Sequence, residues 1–188
     1  MRNLAAAVVV FSLLLLPGSV IAIATQEESK GKAAEELYNR GYFAGMLGWY
    51  REAIQLLEES LAIMPTAEAY TYLGWTYSHM GDYPRAIDEA QKAIALDPHF
   101  GNPYNDIGVY LIELGKEDEA IPYFEKAMRA QRYCCYQFPH FNLGRIYLKK
   151  KMYEQAREKF KEALKIDPDY LPAGEGLELL KALGFTDT

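Results

Sequence analysis

Small residues recur in step along this chain, and that recurrence limits the available folds more than any other feature. Gly41, Gly74, Gly108 and Gly144 stand 33, 34 and 36 residues apart, and twelve residues after each comes an alanine: Ala53, Ala86, Ala120 and Ala156. Twelve further on stands a proline, Pro65, Pro98 or Pro168, with Arg132 in the remaining place. A period of this length marks a stacked array of supersecondary units, because a single unit cannot bury its apolar face alone. Between the glycine and alanine columns lies a turn column of Gly48, Gly81, Gly115 and Lys151. Each unit therefore reads as two helices of about fourteen residues facing each other across a turn.

The residue types fit that geometry. Small side chains at the crossing let two helix backbones approach closely, and bulky ones fill the gaps above and below. The fillers on the first helices are Leu37, Tyr70 and Tyr104, then Leu73, Ile107 and Leu143, then Tyr77, Leu111 and Tyr147. Leu57, Phe124 and Phe160 supply the second helices. Asn102-Pro103 and Phe138-Pro139 open two of the first helices, where proline loses no intrahelical hydrogen bond and asparagine can cap. Pro122, one turn into a second helix, is expected to bend it slightly.

The stretch Ala67–Pro98 resembles a tetratricopeptide repeat almost position for position, and the pattern recurs in phase through residues 34–170. The resemblance implies an all-α, right-handed superhelical solenoid of four such hairpins. Ser60 in place of an alanine, Gly45 inside the first helix and Arg132 in place of a proline are the departures. Beyond the repeats, residues 171–188 are expected to form a capping helix with Leu177, Leu180 and Leu183 on one side, since a solenoid leaves its last apolar face uncovered.

The first 24 residues differ in kind. Arg2 precedes the uncharged run Leu4–Leu16, followed by Pro17-Gly18 and the small-residue pattern Ala22-Ile23-Ala24, the layout of a secretory signal peptide. A helix over that run spans about 20 Å, short of the roughly 30 Å hydrocarbon core. Cleavage after Ala24 is the first expectation, and an uncleaved N-terminal membrane anchor over residues 1–24 is the alternative. Residues 25–33 read as a polar linker. Either way the remainder is expected to be exported, periplasmic or secreted, or held at the inner membrane.

Cys134 and Cys135, the only cysteines, lie in RYCCYQ, where the 36-residue step inserts two extra residues at the junction of the third and fourth units. Structural zinc wants Cys pairs two to four residues apart and a second ligand pair, which this chain lacks. The first reading is a pair of buried, reduced cysteines acting as small hydrophobes. A disulfide of adjacent residues and a bridge to another chain stay open.

No catalytic constellation stands out, and no cofactor is expected. Gly41, Gly45 and Gly48 do not spell a phosphate-binding loop. His79 and Asp106, on neighbouring first helices, are the nearest thing to an acid–base pair. Twenty-six acidic against twenty basic side chains, net −6, argue against nucleic acid as a partner. The chain reads as a non-enzymatic protein-binding module. The resemblance implies that the first helices line a concave groove, at Tyr38, Asn39 and Tyr42 in the first unit and Thr71, Tyr72, Trp75 and His79 in the second. Asn105, Asp106, Val109 and Ile112 follow in the third unit, and Phe138, Phe141, Asn142 and Arg145 in the fourth. Aromatic rings bury ligand side chains at small entropic cost, and asparagine amides pair with peptide backbone. One subfamily grips C-terminal carboxylates with basic side chains, but the corresponding positions here are Tyr38, Tyr42, Tyr72, Asn102 and Asp106, none of them basic. The expected partner is a peptide segment or helix of a protein in envelope assembly or secretion. The alternative is a self-assembling subunit, a homo-oligomer whose groove is filled by its neighbour.

Overall fold

The computed structural model describes residues 17–185, which form nine α-helices and no strand. They are α1 Pro17–Met46, α2 Tyr50–Ile63, α3 Ala67–His79, α4 Tyr83–Leu96, α5 Asn102–Glu113, α6 Glu117–Arg129, α7 Gln137–Lys149, α8 Tyr153–Ile166 and α9 Leu171–Ala182. Most of the expected signal segment, residues 1–16, lies outside the described residues. Among those described, no helix is long and apolar enough to cross a membrane.

The small-residue ruler is the packing rule of the molecule. Ala53, Ala86, Ala120 and Ala156 are all fully buried. A Cβ on Gly108 would stand 2.6 Å from the Phe124 ring, and one on Gly144 2.5 Å from Phe160. Only glycine lets those rings lie flat on the partner helix. The fillers behave accordingly: Leu57, Ile107 and Phe124 are fully buried, with Leu143 and Phe160 nearly so. Ser60, which breaks the alanine column, is also buried, and its hydroxyl donates to the Ala34 carbonyl at 2.7 Å. The departure therefore leaves no unpaired polar group inside.

Each hairpin turns on a residue in left-handed backbone: Gly48 (φ 80°), Gly81 (77°), Gly115 (72°) and Lys151 (59°). The amide after each turn residue donates back to the end of the preceding helix, as Asp82 N does to Tyr77 O at 3.0 Å and Met152 N to Tyr147 O at 2.9 Å. Thr66 caps α3 through Ala69 N at 3.2 Å, and Asp82 caps α4 through Arg85 N at 3.1 Å. Asn102 does not cap α5. It is the first helical residue, Gly101 stands before it, and Pro103 begins the helix without a side-chain cap.

α1 pairs with α2, α3 with α4, α5 with α6 and α7 with α8, and α9 seals the end against α8 and α7. Each odd helix also touches the next odd helix, whereas no even helix touches the next even one. The odd helices are therefore crowded on an inner wall and the even ones splay outward, which curves the stack and leaves the odd helices lining its hollow.

Two expectations are corrected. Residues 25–33 are not a linker but the middle of α1, where Lys30–Glu27 at 2.9 Å and Lys32–Glu28 at 2.6 Å pair one turn apart. In the capping helix Leu180 is fully buried and Leu177 packs beside it, but Leu183 is half exposed at the helix end.

Candidate functional site

On the hollow side, α1 and α3 carry a run of rings in contact, tilted against one another except for the stacked pair Tyr72 and Trp75. Tyr38 and Tyr42 lie 6.4 Å apart between centroids, Tyr42 and Tyr72 4.6 Å, Tyr72 and Trp75 4.7 Å, and Trp75 and His79 3.9 Å. Gly45 explains how the two helices come so close, because a Cβ there would meet the Tyr72 and Trp75 rings at 3.1 to 3.3 Å. What looks like a weak helical residue in the sequence is the space those rings occupy. The Tyr72 hydroxyl donates to the Tyr42 carbonyl at 3.1 Å, tying α3 to α1. Burial, then the neighbouring tyrosines, push the Tyr72 phenol far up, and burial followed by Glu68 raises Tyr38. Both stay neutral, so the ladder offers ring faces and hydroxyls without charge. At its open end Tyr38, Asn39, Glu35 and Glu68 line a cavity of about 450 Å³.

Thr71 behaves differently from the expectation. It is buried, and its hydroxyl donates to Ala67 O in the turn before it at 2.7 Å, so it serves its own helix. His79 sits on Trp75, its Nδ1 3.0 Å from Trp75 O, and no hydrogen bond or ion pair joins it to Asp106. The acid–base pair considered from sequence does not form.

α5 brings Asn105 and Asp106 to the middle of the inner wall. Asn105 is buried, and its Nδ2 lies 3.5 Å from Asp106 Oδ1. Loss of hydration raises the Asp106 carboxyl to about 7, opposed only by that amide contact. By exposed area Asp106 is only half-buried, yet its carboxyl is strongly desolvated. Both hold on a concave wall, where a side chain keeps a narrow view of solvent while losing most of its hydration. Val109 and Ile112, further along α5, are half-buried among apolar neighbours.

α7 packs its rings against the C-terminal segment, though Phe138 stays 36% exposed. Phe138 and Phe141 meet Tyr170 at 5.5 and 5.4 Å, and Phe141 also meets Phe160 at 5.9 Å. Asn142 is buried, its Oδ1 accepting from Arg145 at 3.3 Å, and the Arg145 guanidinium lies 5.8 Å from the Phe141 ring centroid.

The cysteine loop, residues 130–136, contributes to the site in a way the sequence did not reveal. Cys134 and Cys135 are joined to each other, and neither is buried, which overturns the reading as reduced core residues. Arg132 folds back over the α4–α5 junction. Its N–H donates to His99 O and its carbonyl accepts from Gly101 N, both at 2.9 Å. Its guanidinium bridges Asp97 at 2.7 Å and Glu68 at 2.5 Å, and lies 3.9 Å from the Phe100 ring centroid. Proline has no N–H to give, and this explains why the column that reads proline elsewhere reads arginine here. Next to it, the Tyr133 ring packs over Gly101, where any Cβ would collide at 2.5 Å. Among the described residues no three metal-ligating side chains converge.

Comparison with known proteins agrees with the geometry. Models of the tetratricopeptide repeat match residues 33–99, 102–134 and 138–170. The photosystem I assembly protein Ycf3 of Prochlorococcus marinus is 33% identical over 110 residues, covering 53% of this chain and 64% of that one. The chain spans less than two thirds of the length of the curated relatives it matches. The crystal structure of MamA superposes with a TM-score of 0.64 at 26% identity, covering 80% of this chain and 88% of that one. YrrB, described as a TPR protein with an unusual peptide-binding site, gives 0.64 at 22% identity over 86% of both chains. With helical hairpins closed on left-handed turns, fully buried alanines at each crossing and three repeat models running through residues 33–170, the chain belongs to the tetratricopeptide repeat proteins.

Proposed function

We propose that this protein is a non-catalytic module of four repeats that holds an extended peptide segment or a helix of a partner protein against its inner wall. The ladder Tyr38, Tyr42, Tyr72, Trp75 and His79 carries this reading. It is a continuous run of ring faces on the hollow side, with Tyr42 37% exposed, and such residues dominate binding energy where they are buried by a partner. The cavity beside Tyr38 and Asn39 gives the segment an entry, and the peptide-binding site described for YrrB is consistent with this use of the fold. From the apolar run Leu4–Leu16 and the pattern ending at Ala24, we place the module across or at the far face of a membrane, in envelope assembly or secretion.

The test is selection of random twelve-residue peptides on the purified protein. The expected result is a set of peptides retained by the wild type and lost on Tyr72→Ala or Trp75→Ala, with sedimentation showing a monomer. Peptides that bind the wild type and both variants alike refute the groove. An oligomer that falls apart on Trp75→Ala replaces the reading with self-assembly.

A further inference from the structure

Asp106 stands at the centre of the inner wall without a counter-charge. Its only hydrogen-bond partner is the Asn105 amide at 3.5 Å, and no ion pair among the described residues includes it. The cations nearest in sequence pattern are engaged elsewhere: Arg132 with Glu68 and Asp97, and Arg145 with Asn142. Beside Asp106, the Asn105 Oδ1 atom is shut from solvent with no donor, in a residue only 9% exposed. The Tyr133 hydroxyl, supplied by the cysteine loop, is likewise buried without a partner. Burial first, and then the Asp106 charge, push that phenol up, so the two groups sense each other. Burial and the same charge act on Tyr110 from the core side.

The spare capacity here has a definite sign. The carboxylate oxygens of Asp106 can only accept, and the Asn105 amide answers one of them. What is missing is a group rich in donors and carrying positive charge. A lysine ammonium offers three donors and an arginine guanidinium five, neither with an acceptor to leave unpaired. Val109, one turn on from Asp106 along the same face of α5, supplies apolar surface for the methylene stem of such a side chain.

We propose that the Asp106 carboxylate, held by the Asn105 amide, is a subsite for a lysine or arginine side chain of the segment held in the groove. This rests on the groove reading and gives it a chemical preference, a basic residue set in register with side chains that lie against the aromatic ladder. The desolvated carboxyl, raised to about 7, is what an acid site lacking its cation looks like, and an incoming charge restores the ionised form.

The experiment uses peptides selected as above, each paired with a synthetic copy in which a lysine is replaced by norleucine or an arginine by citrulline. These replacements keep the shape and remove the charge. The expected result is enrichment of one basic position among peptides that depend on Tyr72, a loss of about 10- to 100-fold in wild-type affinity on its replacement, and the same loss on Asp106→Asn. On Asp106→Asn the neutral copy then binds no worse than the basic one. Tyr72-dependent peptides without a basic preference overturn the subsite and leave the groove standing. Failure to select any Tyr72-dependent peptide removes both. A basic preference that weakens with salt yet persists on Asp106→Asn assigns the attraction to the overall negative charge and overturns the subsite.

Discussion

Replacing Asp106 by asparagine separates stability from recognition in this protein. The carboxyl titrates normally at 3.8 and in the folded chain at about 7. Each pH unit of that difference corresponds to about 1.4 kcal/mol, so holding the charged form in place costs the fold at most about 4 kcal/mol once the pH is above 7. The half-exposed position lets water relax part of this, and a gain of about 2 kcal/mol is expected from Asp106→Asn at pH 8. For a chain of this size that is a rise in Tm of about 4–8 °C. The sign follows from proton counting: between pH 4 and 7 the folded chain binds the proton and the unfolded chain does not, so wild-type stability falls as pH rises through that window. His140 acts oppositely. Its pKa is lowered, chiefly by burial, so its contribution is present above its ordinary 6.5 and lost as pH falls. Wild type and variant share His140, so the difference between their Tm curves isolates Asp106. The assay is thermal unfolding followed by far-ultraviolet circular dichroism from pH 4 to 8.5. The expected difference is near zero at pH 4 and grows to a plateau above pH 7. A difference that is flat with pH, or a variant less stable than wild type at pH 8, refutes the reasoning and means that a cation reaches the carboxylate.

Lys151→Gly relieves the one non-glycine residue held at positive φ among the described residues, at 59°, and is expected to raise the urea midpoint by an amount equivalent to about 1 kcal/mol. Gly144→Ala forces a methyl to 2.5 Å from the Phe160 ring and is expected to cost about 1–3 kcal/mol in the same measurement. Gly174→Ala in α9, where a Cβ meets nothing within 4 Å, is expected to be neutral or stabilising by up to about 1 kcal/mol. Arg132→Pro restores the repeat's usual residue but removes the N–H that donates to His99 O. It is expected to cost about 1–2 kcal/mol and to speed limited proteolysis within residues 130–136, more than Arg132→Ala does.

The fold was legible because its determinants are local and periodic. Gly108 and Ala120 are spaced by the hairpin itself, so the contact between Gly108 and Phe124 is written at short range. The boundary of α1 was not legible in the same way. Polar composition over residues 25–33 reads as linker, yet Glu27, Glu28, Lys30 and Lys32 are spaced to pair along a helix that the first hairpin already nucleates. The groove was half legible. The family resemblance put Tyr72 and Trp75 on the inner face, but that Gly45 opposite makes room for them is a contact between units, outside the reach of a local pattern. Arg132 is the clearest case: its absent proline was visible, and its reason, a bond to His99 and an ion pair reaching back to Glu68, lies at the two ends of the preceding unit. A missing consensus residue was the signal, and asking what an N–H could do there would have found the answer.

The inner wall is uneven along its length, and this narrows where a ligand gains most. At the α7 end the rings of Phe138 and Phe141 are engaged with Tyr170, and the Asn142 oxygen is taken by Arg145, so a ligand must displace existing contacts to use them. At the α1 and α3 end the rings of Tyr42, Tyr72 and Trp75 lie against one another in turn, with Tyr42 37% exposed and the Tyr72 phenol held neutral. Between the two ends Asp106 provides a desolvated carboxyl on the inner wall. Orientation along a repeat solenoid is otherwise ambiguous, because successive units offer similar surfaces. In the proposed reading one acid and one aromatic ladder at different points of the wall remove that ambiguity, since only a segment running in a single direction would set a cation on the first while its apolar side chains cover the second.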